Sequence, residues 1–150
     1  MKALVTGATG FIGLKLIKIL EDCGYSIRIL SRNNNLDYDT AICDLQNEKI
    51  PESALDSVDV IFHLAAHAHD LASDSIQEKI YYDVNLGGTV KLIKIAVQKK
   101  VRKFIYVSSV KAGGVPGFGV CASENDQGEP EGIYGKTKRE AELELLKIGK

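Results

Sequence analysis

The stretch KALVTGATGFIGLKLIKILED, residues 2–22, decides the fold because three glycines join an apolar run to an amphipathic segment. The run before the glycines is apolar enough for a buried strand, and residues 11–22 carry apolar side chains at helical spacing. The glycines between them, Gly7, Gly10 and Gly13, predict a strand, a tight turn and a helix in that order. Such a unit is typical of the start of a parallel, doubly wound sheet.

Beyond this unit, strand-like runs alternate with helix-like segments. Further strands are expected over residues 26–30, 40–43, 58–64 and 103–107. A helical pattern over residues 75–100 precedes the last strand, and the irregular residues 111–132 follow it, where open sheets bind ligands. We therefore predict one α/β domain over residues 1–150, a doubly wound Rossmann-type parallel sheet with strand order 3-2-1-4-5 and helices on both faces.

The overall charge argues against several classes of partner. The net charge is −1 and the isoelectric point is near 6.3, so no basic surface for nucleic acid or anionic membranes is expected. Three widely spaced cysteines indicate a reducing compartment. The sequence has no signal-peptide pattern and no apolar run of membrane-spanning length, so we expect a cytoplasmic protein.

The glycine turn is the first candidate binding element. Glycines at this spacing allow the backbone to approach a pyrophosphate, while the N-terminus of the following helix supplies N–H donors. The turn predicts contacts to a dinucleotide from Gly7, Thr9, Gly10, Phe11, Ile12 and Gly13. A glycine-rich turn that binds nothing is the alternative, which the strand–turn–helix context disfavours.

The end of the second strand bears on the choice of cofactor. Ser31 falls 24 residues after Gly7, near the position where an acidic residue would bind the adenosine ribose of NAD. The acid is missing and Arg32 follows, and an arginine can accommodate the 2′-phosphate of NADP. The sequence therefore favours NADP slightly over NAD. The alternative interpretation of Arg32 is a solvated loop residue.

Two further strand ends carry candidate cofactor contacts. After the third strand, Asp44 and Leu45 predict a contact to adenine, although a loop-capping aspartate is an equal alternative. The fourth strand closes on His63, Leu64, Ala65 and Ala66, whose small alanines let a dinucleotide lie across the strand end, so Leu64, Ala65 and Ala66 are expected to contact the cofactor. A metal site is not expected, because the nearby histidines and acid lack further ligands; these residues are His67, His69 and Asp70.

With these segments placed, the whole chain resembles the extended short-chain dehydrogenase/reductase family, in particular its NAD(P)-dependent nucleotide-sugar epimerase/dehydratase group. The matching motifs are GATGFIG at 7–13, DL at 44–45, HLAA at 63–66, DVNLGGT at 83–89, FIYVSS at 104–109 and YGKTK at 134–138. They follow the family's order and spacing from end to end. Together they are far more specific than any one of them alone.

The resemblance implies roles for individual residues. It implies that Tyr134 and Lys138 are the catalytic acid/base pair and that both also contact the cofactor. It implies that Ser109 orients the reacting oxygen and that Asn85 lies beside the cofactor. Taken without the resemblance, the spacing of Tyr134 and Lys138 is a weak signal, because such pairs also arise by chance.

Within the group, the resemblance favours sugar 4-epimerases and 4-dehydrogenases. The 4,6-dehydratases carry an acidic pair just after the catalytic hydroxyl, whereas this chain has Val110 and Lys111 there. An NADP-dependent reductase of a keto sugar or other carbonyl is one alternative. A non-catalytic dinucleotide-binding sensor or scaffold is another.

The length of the chain sets a further expectation. Members of the resembled group are about twice as long, and their second half supplies most of the nucleotide-sugar pocket. We therefore expect the 150 residues to be a cofactor-binding half that turns over sugar nucleotides weakly or not at all. The fifth strand would then be a bare edge that invites pairing with another chain, and so a homodimer is also expected.

Overall fold

The computed structural model describes residues 1–68, 75–117, 119, 121–123 and 125–149. Its five strands form one parallel sheet in the order β3-β2-β1-β4-β5, which confirms the predicted fold and strand order. The strands are β1 Lys2–Thr6, β2 Ser26–Ser31, β3 Asp39–Ile42, β4 Val60–His63 and β5 Lys103–Tyr106. Their ends differ from the predicted ends by one or two residues.

Helices cover both faces of this sheet. They are α1 Phe11–Asp22, α2 Ser75–Tyr81, α3 Thr89–Gln98, α4 Val110–Gly113 and α5 Gly132–Ile148, with a short 3-10 helix at Glu52–Leu55. The stretch predicted to be irregular therefore begins with a helical turn. Among the described helices, none has the length and apolarity that a membrane span needs.

The helix predicted over residues 75–100 ends at Gln98 and contains a π-helical segment, Tyr82–Gly88, between α2 and α3. Where this segment passes into α3, the Thr89 hydroxyl donates to the Asn85 carbonyl at 2.6 Å, one helical turn back.

The two faces of the sheet have separate cores. Ala3 and Val5 of β1 pack with Ile17 and Leu20 of α1 on one face. Leu4, which points the other way, packs with residues of α3 on the opposite face. The parallel register pairs Thr6 of β1 with His63 of β4, so the carboxyl ends of the central strands lie at one edge. That edge is where the candidate site forms.

Candidate functional site

The glycine turn between β1 and α1 has a geometry that only glycine satisfies. Gly7 has φ +67°, and a Cβ there would lie 2.8 Å from the Ala65 nitrogen of the loop after β4. A Cβ at Gly13 would lie 2.7 Å from the Ala8 carbonyl oxygen. Gly10 is the N-cap of α1 and has no side chain to offer the first-turn amides. These amides therefore face the turn as an anion-binding group of donors, as predicted for a pyrophosphate.

A cleft of about 380 Å³ opens beside this turn. Ten of the predicted cofactor-binding residues line it, from all four strands nearest the turn: Gly7, Thr9, Gly10, Ser31, Arg32, Asp44, Leu45, Leu64, Ala65 and Ala66. Phe11 and Ile12 are exposed at the start of α1, and Gly13 is buried in the helix–turn contact. The cleft is long and open at the carboxyl edge of the sheet, which suits an extended ligand.

A larger groove of about 510 Å³ lies away from these residues. It runs between α3, β5 and α5 and is lined largely by apolar side chains such as Phe104 and Leu145. None of the predicted site residues lines it. We therefore place the candidate site in the smaller cleft, where polar backbone groups converge.

The adenine-side residues have defined local partners. The Asp44 carboxylate accepts from the Gln46 backbone N–H at 3.0 Å and from the Asn47 side-chain amide at 3.2 Å. The loop-capping interpretation of Asp44 thus describes what its side chain does here, while the residue also lines the cleft. Arg32 lines the same end of the cleft and is exposed.

Asn85 is buried within the π segment and is 1% exposed. Its side-chain oxygen accepts from the His67 N–H at 2.7 Å, and its amide donates to the His67 carbonyl at 3.1 Å and the Thr137 hydroxyl at 3.2 Å. Asn85 therefore clamps the loop after β4 and links it to α5. Its amide is used by protein groups, so any influence on a ligand passes through the loop that lines the cleft.

His63 is fully buried, and both of its ring nitrogens have partners. Nδ1 lies 2.6 Å from the Thr6 hydroxyl and Nε2 lies 2.8 Å from the Thr89 hydroxyl. Burial, with a smaller contribution from the Lys138 charge, lowers the pKa of His63 to about 3. The imidazole is therefore neutral at ordinary pH, and each of its two nitrogens is hydrogen-bonded to a hydroxyl.

The histidine-rich stretch after β4 is only partly described. His69 and Asp70, which the sequence analysis considered as metal ligands, lie outside the described residues. Within the described ranges, no three His, Cys, Asp or Glu side chains form a group that could hold a metal ion.

Lys138 is an unusual residue because its side chain is buried, at 1% exposure. Its Nζ donates to the Val107 carbonyl at 2.6 Å and lies 4.0 Å from the centroid of the Tyr106 ring. Burial lowers the pKa of Lys138 to about 8, with the Glu142 charge opposing part of that effect. At pH 7 most molecules still carry the cation, which the carbonyl and the ring face stabilise.

Tyr134 lies one helical turn before Lys138 on α5 and is half-buried. Its ring centroid is 6.4 Å from that of Tyr81, and the Tyr81 ring is 4.6 Å from that of His67, which lines the cleft. A continuous aromatic row thus connects the acid/base candidate to the cleft.

Ser109 reaches the same region through a close helix–helix contact. It is the N-cap of α4, and its Oγ accepts from the Lys111 N–H at 3.3 Å. Gly135 allows α5 to approach α4, because a Cβ there would lie 2.9 Å from the Lys111 carbonyl carbon. The turn with Ser109 and the helix with Tyr134 are therefore held side by side.

Several residues of the site were missed by the sequence analysis. They are Thr6, Tyr81, Thr89, Tyr106 and Thr137. Each contacts a predicted residue through a hydroxyl or a ring. Thr89, Tyr106 and Thr137 stand within the quoted motifs and Thr6 directly precedes the glycine turn, but nothing in their spacing assigned them a role.

A parallel sheet that binds at the turn after its central strand is the architecture of Rossmann-type dinucleotide-binding proteins, and the tyrosine–lysine helix is typical of their short-chain dehydrogenase/reductase class. The chain belongs to the NAD dependent epimerase/dehydratase family, whose family model matches residues 3–150.

Individual relatives agree with this assignment. The chain is 32% identical to a UDP-glucose 4-epimerase from Vibrio cholerae, over 98% of this chain and 47% of that protein. It is 33% identical to a putative dihydroflavonol 4-reductase from Synechocystis sp., over 95% of this chain and 43% of that protein. The chain thus spans about half the length of the curated relatives that it matches.

A solved structure gives the same result. The UDP-glucuronic acid 4-epimerase of Bacillus cereus, in complex with UDP-glucuronic acid and NAD, superposes with a TM-score of 0.85 at 26% identity. The match covers 99% of this chain and 52% of that one. The fold of the chain is therefore shared by a 4-epimerase of nucleotide sugars.

Proposed function

We propose that the chain is the cofactor-binding part of an NAD(P)-dependent nucleotide-sugar 4-epimerase or dehydrogenase. The observation that carries this proposal is the position of α5. That helix carries Tyr134, whose ring is linked through Tyr81 to the cleft-lining His67, and the buried Lys138, whose Nζ bonds the Val107 carbonyl just after β5. The 4-epimerases among the relatives support the same reaction class.

The residues present fit a dinucleotide. Gly7 and Gly13 leave no room for a Cβ, and the first-turn amides of α1 are available donors, so this turn would hold the pyrophosphate. Leu64, Ala65 and Ala66 would lie along the nicotinamide half, and Leu45 would lie against the adenine. When bound, the nicotinamide accepts a hydride from the substrate carbon and can return it.

The side chains supply the proton chemistry. Tyr134 takes the proton from a sugar hydroxyl as the carbon is oxidised, and returns it in the reverse step. Lys138, one helical turn along α5, supplies a positive charge that favours this proton transfer. Ser109 holds the oxygen of the carbonyl that forms.

A keto-sugar or carbonyl reductase is the second candidate. The similarity to a putative 4-reductase favours it, and Arg32 at the adenosine end of the cleft favours NADP. The solved relative holds NAD and gives the NADP preference no support. A non-catalytic sensor is less consistent with the site, because it would need neither the acid/base Tyr134 nor the hydroxyl of Ser109.

The nucleotide-sugar substrate and a homodimer are parts of the same proposal. The relatives are about twice as long, so we expect the 150 residues to bind the cofactor and to need further sequence for efficient turnover. The predicted free edge of the sheet, at β5, is the place where a second chain would pair.

An absorbance assay tests the proposal. The protein is incubated with NAD or NADP and a panel of UDP-sugars. Isomerised sugar without net reduced cofactor indicates an epimerase, and net reduced cofactor indicates a dehydrogenase. Oxidation of NADPH by a keto sugar supports the reductase. If a chain extended to full family length binds the cofactor but catalyses no reaction, the sensor is supported. Absence of dinucleotide binding would contradict all of these.

A further inference from the structure

A row of buried polar side chains runs through the molecule beneath the cleft. Its members come from β1, β4, the π segment, α3 and α5, and each is at most 1% exposed: Thr6, His63, Asn85, Thr89 and Thr137. Polar groups are costly to bury unless every one is hydrogen-bonded, and a network of this kind fixes the position of the elements that it joins.

The hydrogen bonds of this row run in one direction. The Ala65 N–H donates to the Thr6 hydroxyl at 3.1 Å, and the Thr89 hydroxyl donates to the Asn85 carbonyl at 2.6 Å. Since the Thr89 hydrogen is used, His63 Nε2–H must donate to Thr89 at 2.8 Å. Nδ1 is then the acceptor from the Thr6 hydroxyl at 2.6 Å. Only one neutral tautomer of His63 satisfies all four bonds.

A second arm returns from the π segment to the cleft. Asn85 bonds both backbone groups of His67, two residues after Ala65, and its amide also reaches Thr137 of α5. The Thr137 hydroxyl donates to the Ile133 carbonyl at 2.9 Å and also lies 3.1 Å from the Tyr134 carbonyl oxygen, both in the first turn of α5. The loop after β4 is thus held at both ends by one network that ends on the helix with the acid/base pair.

We propose that His63 is a positioning residue that, through Thr6 and Thr89, fixes the loop of residues 64–67 relative to Tyr134 on helix α5. The inference rests on the proposed function, since that loop lines the cleft for the dinucleotide. A fixed loop holds the nicotinamide half of the cofactor at a constant distance from the group that moves the proton.

The surroundings of His63 are consistent with this role. Its ring stacks on Tyr106 at 5.6 Å between centroids, and the Tyr106 ring also contacts the Lys138 ammonium. A charged imidazole would lose the bond that it accepts from Thr6 and would stand near a second cation. The low pKa of His63 agrees with a residue that serves as a permanent neutral connector.

The test removes one hydroxyl of the network without changing shape. In Thr89→Val the hydroxyl that accepts from His63 is lost, whereas Thr89→Ser keeps it. We expect Thr89→Val to accelerate hydrogen exchange at the Ala65 and His67 amides and to weaken NAD binding by at least about fivefold, the low end of coupling between linked sites. Thr89→Ser should remain close to the parent in both measurements.

A matched control separates positioning from general destabilisation. Val60→Ala truncates a buried residue at the other end of β4 and lowers stability without touching the network. If hydrogen exchange at the Ala65 and His67 amides is unchanged in Thr89→Val, the inference is overturned, whatever the NAD affinity. Faster exchange with an NAD affinity equal to that of Val60→Ala also overturns it.

Two further measurements complete the test. Nitrogen NMR of the imidazole should show the neutral form with hydrogen on Nε2, and the other tautomer would contradict the network. The double variant Thr6→Val with Thr89→Val should lose less NAD affinity than the sum of the single variants, because the two hydroxyls share the His63 imidazole, although Thr6→Val also removes the acceptor of the Ala65 N–H. A parent chain that binds no NAD contradicts the proposed function, while the exchange data still decide whether His63 fixes the loop.

Discussion

The two faces of the sheet are built differently although they share the same strands. Under α1, the buried core is apolar and includes Ala3, Val5 and Ile29. On the α3 face, β1 and β4 begin with Leu4 and Ile61 and end with polar residues such as His63. Among the described residues, the buried polar side chains of the strands therefore lie at the carboxyl end of one face, where the candidate site lies.

The largest effect is expected at Gly13, where helix α1 on the apolar face meets the glycine turn of the cleft. Gly13→Ala should abolish measurable NAD binding and lower the free energy of unfolding by about 3 kcal/mol, because the new Cβ overlaps the glycine turn. Calorimetric titration and urea unfolding measure both. Gly24→Ala is the control: its φ of +80° is strained, at about 1 kcal/mol, but nothing lies within 4 Å. An unchanged NAD affinity in Gly13→Ala would show that the turn is not the binding element.

The second prediction concerns the buried cation of the polar face. The pKa of Lys138 is lowered to about 8 in the folded state, so between pH 8 and its ordinary value of 10.5 the unfolded state binds more protons. The parent should therefore gain up to about 3 kcal/mol of stability relative to Lys138→Met as pH rises through this range. Urea unfolding at several pH values measures the difference. Lys147→Met, an exposed lysine of the same helix, should show no comparable trend.

A third and smaller effect separates two adjacent glycines of the π segment. A Cβ at Gly88 would lie 3.0 Å from the Leu45 Cβ, whereas a Cβ at Gly87 meets its nearest atom at 3.5 Å. Gly88→Ala should cost about 1 kcal/mol and weaken NAD binding by moving Leu45. Gly87→Ala should stabilise the helix by up to about 1 kcal/mol. Thermal unfolding and NAD titration of the pair give the result, and equal behaviour would show that Gly88 does not set the position of Leu45 in the wall of the cleft.

The smallest effect is expected for Arg32, which lines the cleft but belongs to neither core of the sheet. Its side chain is exposed, so its charge is screened by solvent. Arg32→Ala should weaken NADP binding by about two- to fivefold and leave NAD binding unchanged, because an exposed ion pair contributes under about 1 kcal/mol. Competition titration with both nucleotides measures the ratio. An equal loss for the two nucleotides would assign Arg32 to the shared part of the cofactor.

The elements that could be predicted from the sequence are those fixed by local geometry. The glycine turn was predicted because Gly7 and Gly13 act within one strand–turn–helix unit. The π segment was not, since apolar residues recur at nearly the same spacing in an α-helix that contains one wider stretch. The burial of Lys138 was also missed, because the Val107 carbonyl that accepts from it lies 31 residues away.

The resemblance to a known family supplied the site residues that spacing alone left weak. Tyr134 and Lys138 had little statistical weight, and their placement on α5 beside the cleft is a tertiary property. For His63, the motif was not enough. It suggested a cofactor-lining strand but did not reveal the hydrogen-bond partners of the imidazole, Thr6 and Thr89, which lie 57 and 26 residues away in the chain.

The central position of β1 has a consequence for how the chain emerges during synthesis. β1 precedes the other four described strands in the chain, yet it pairs with β2 on one side and with β4 on the other. The pairing of β1 with β4 brings Thr6 to His63, and it can form only after His63, 57 residues later in the chain, has been synthesised. Until then an apolar strand with free hydrogen-bonding groups stays available to other chains. Folding of this domain therefore depends on late, non-local strand pairing, and nascent chains stopped before β4 are expected to require chaperones.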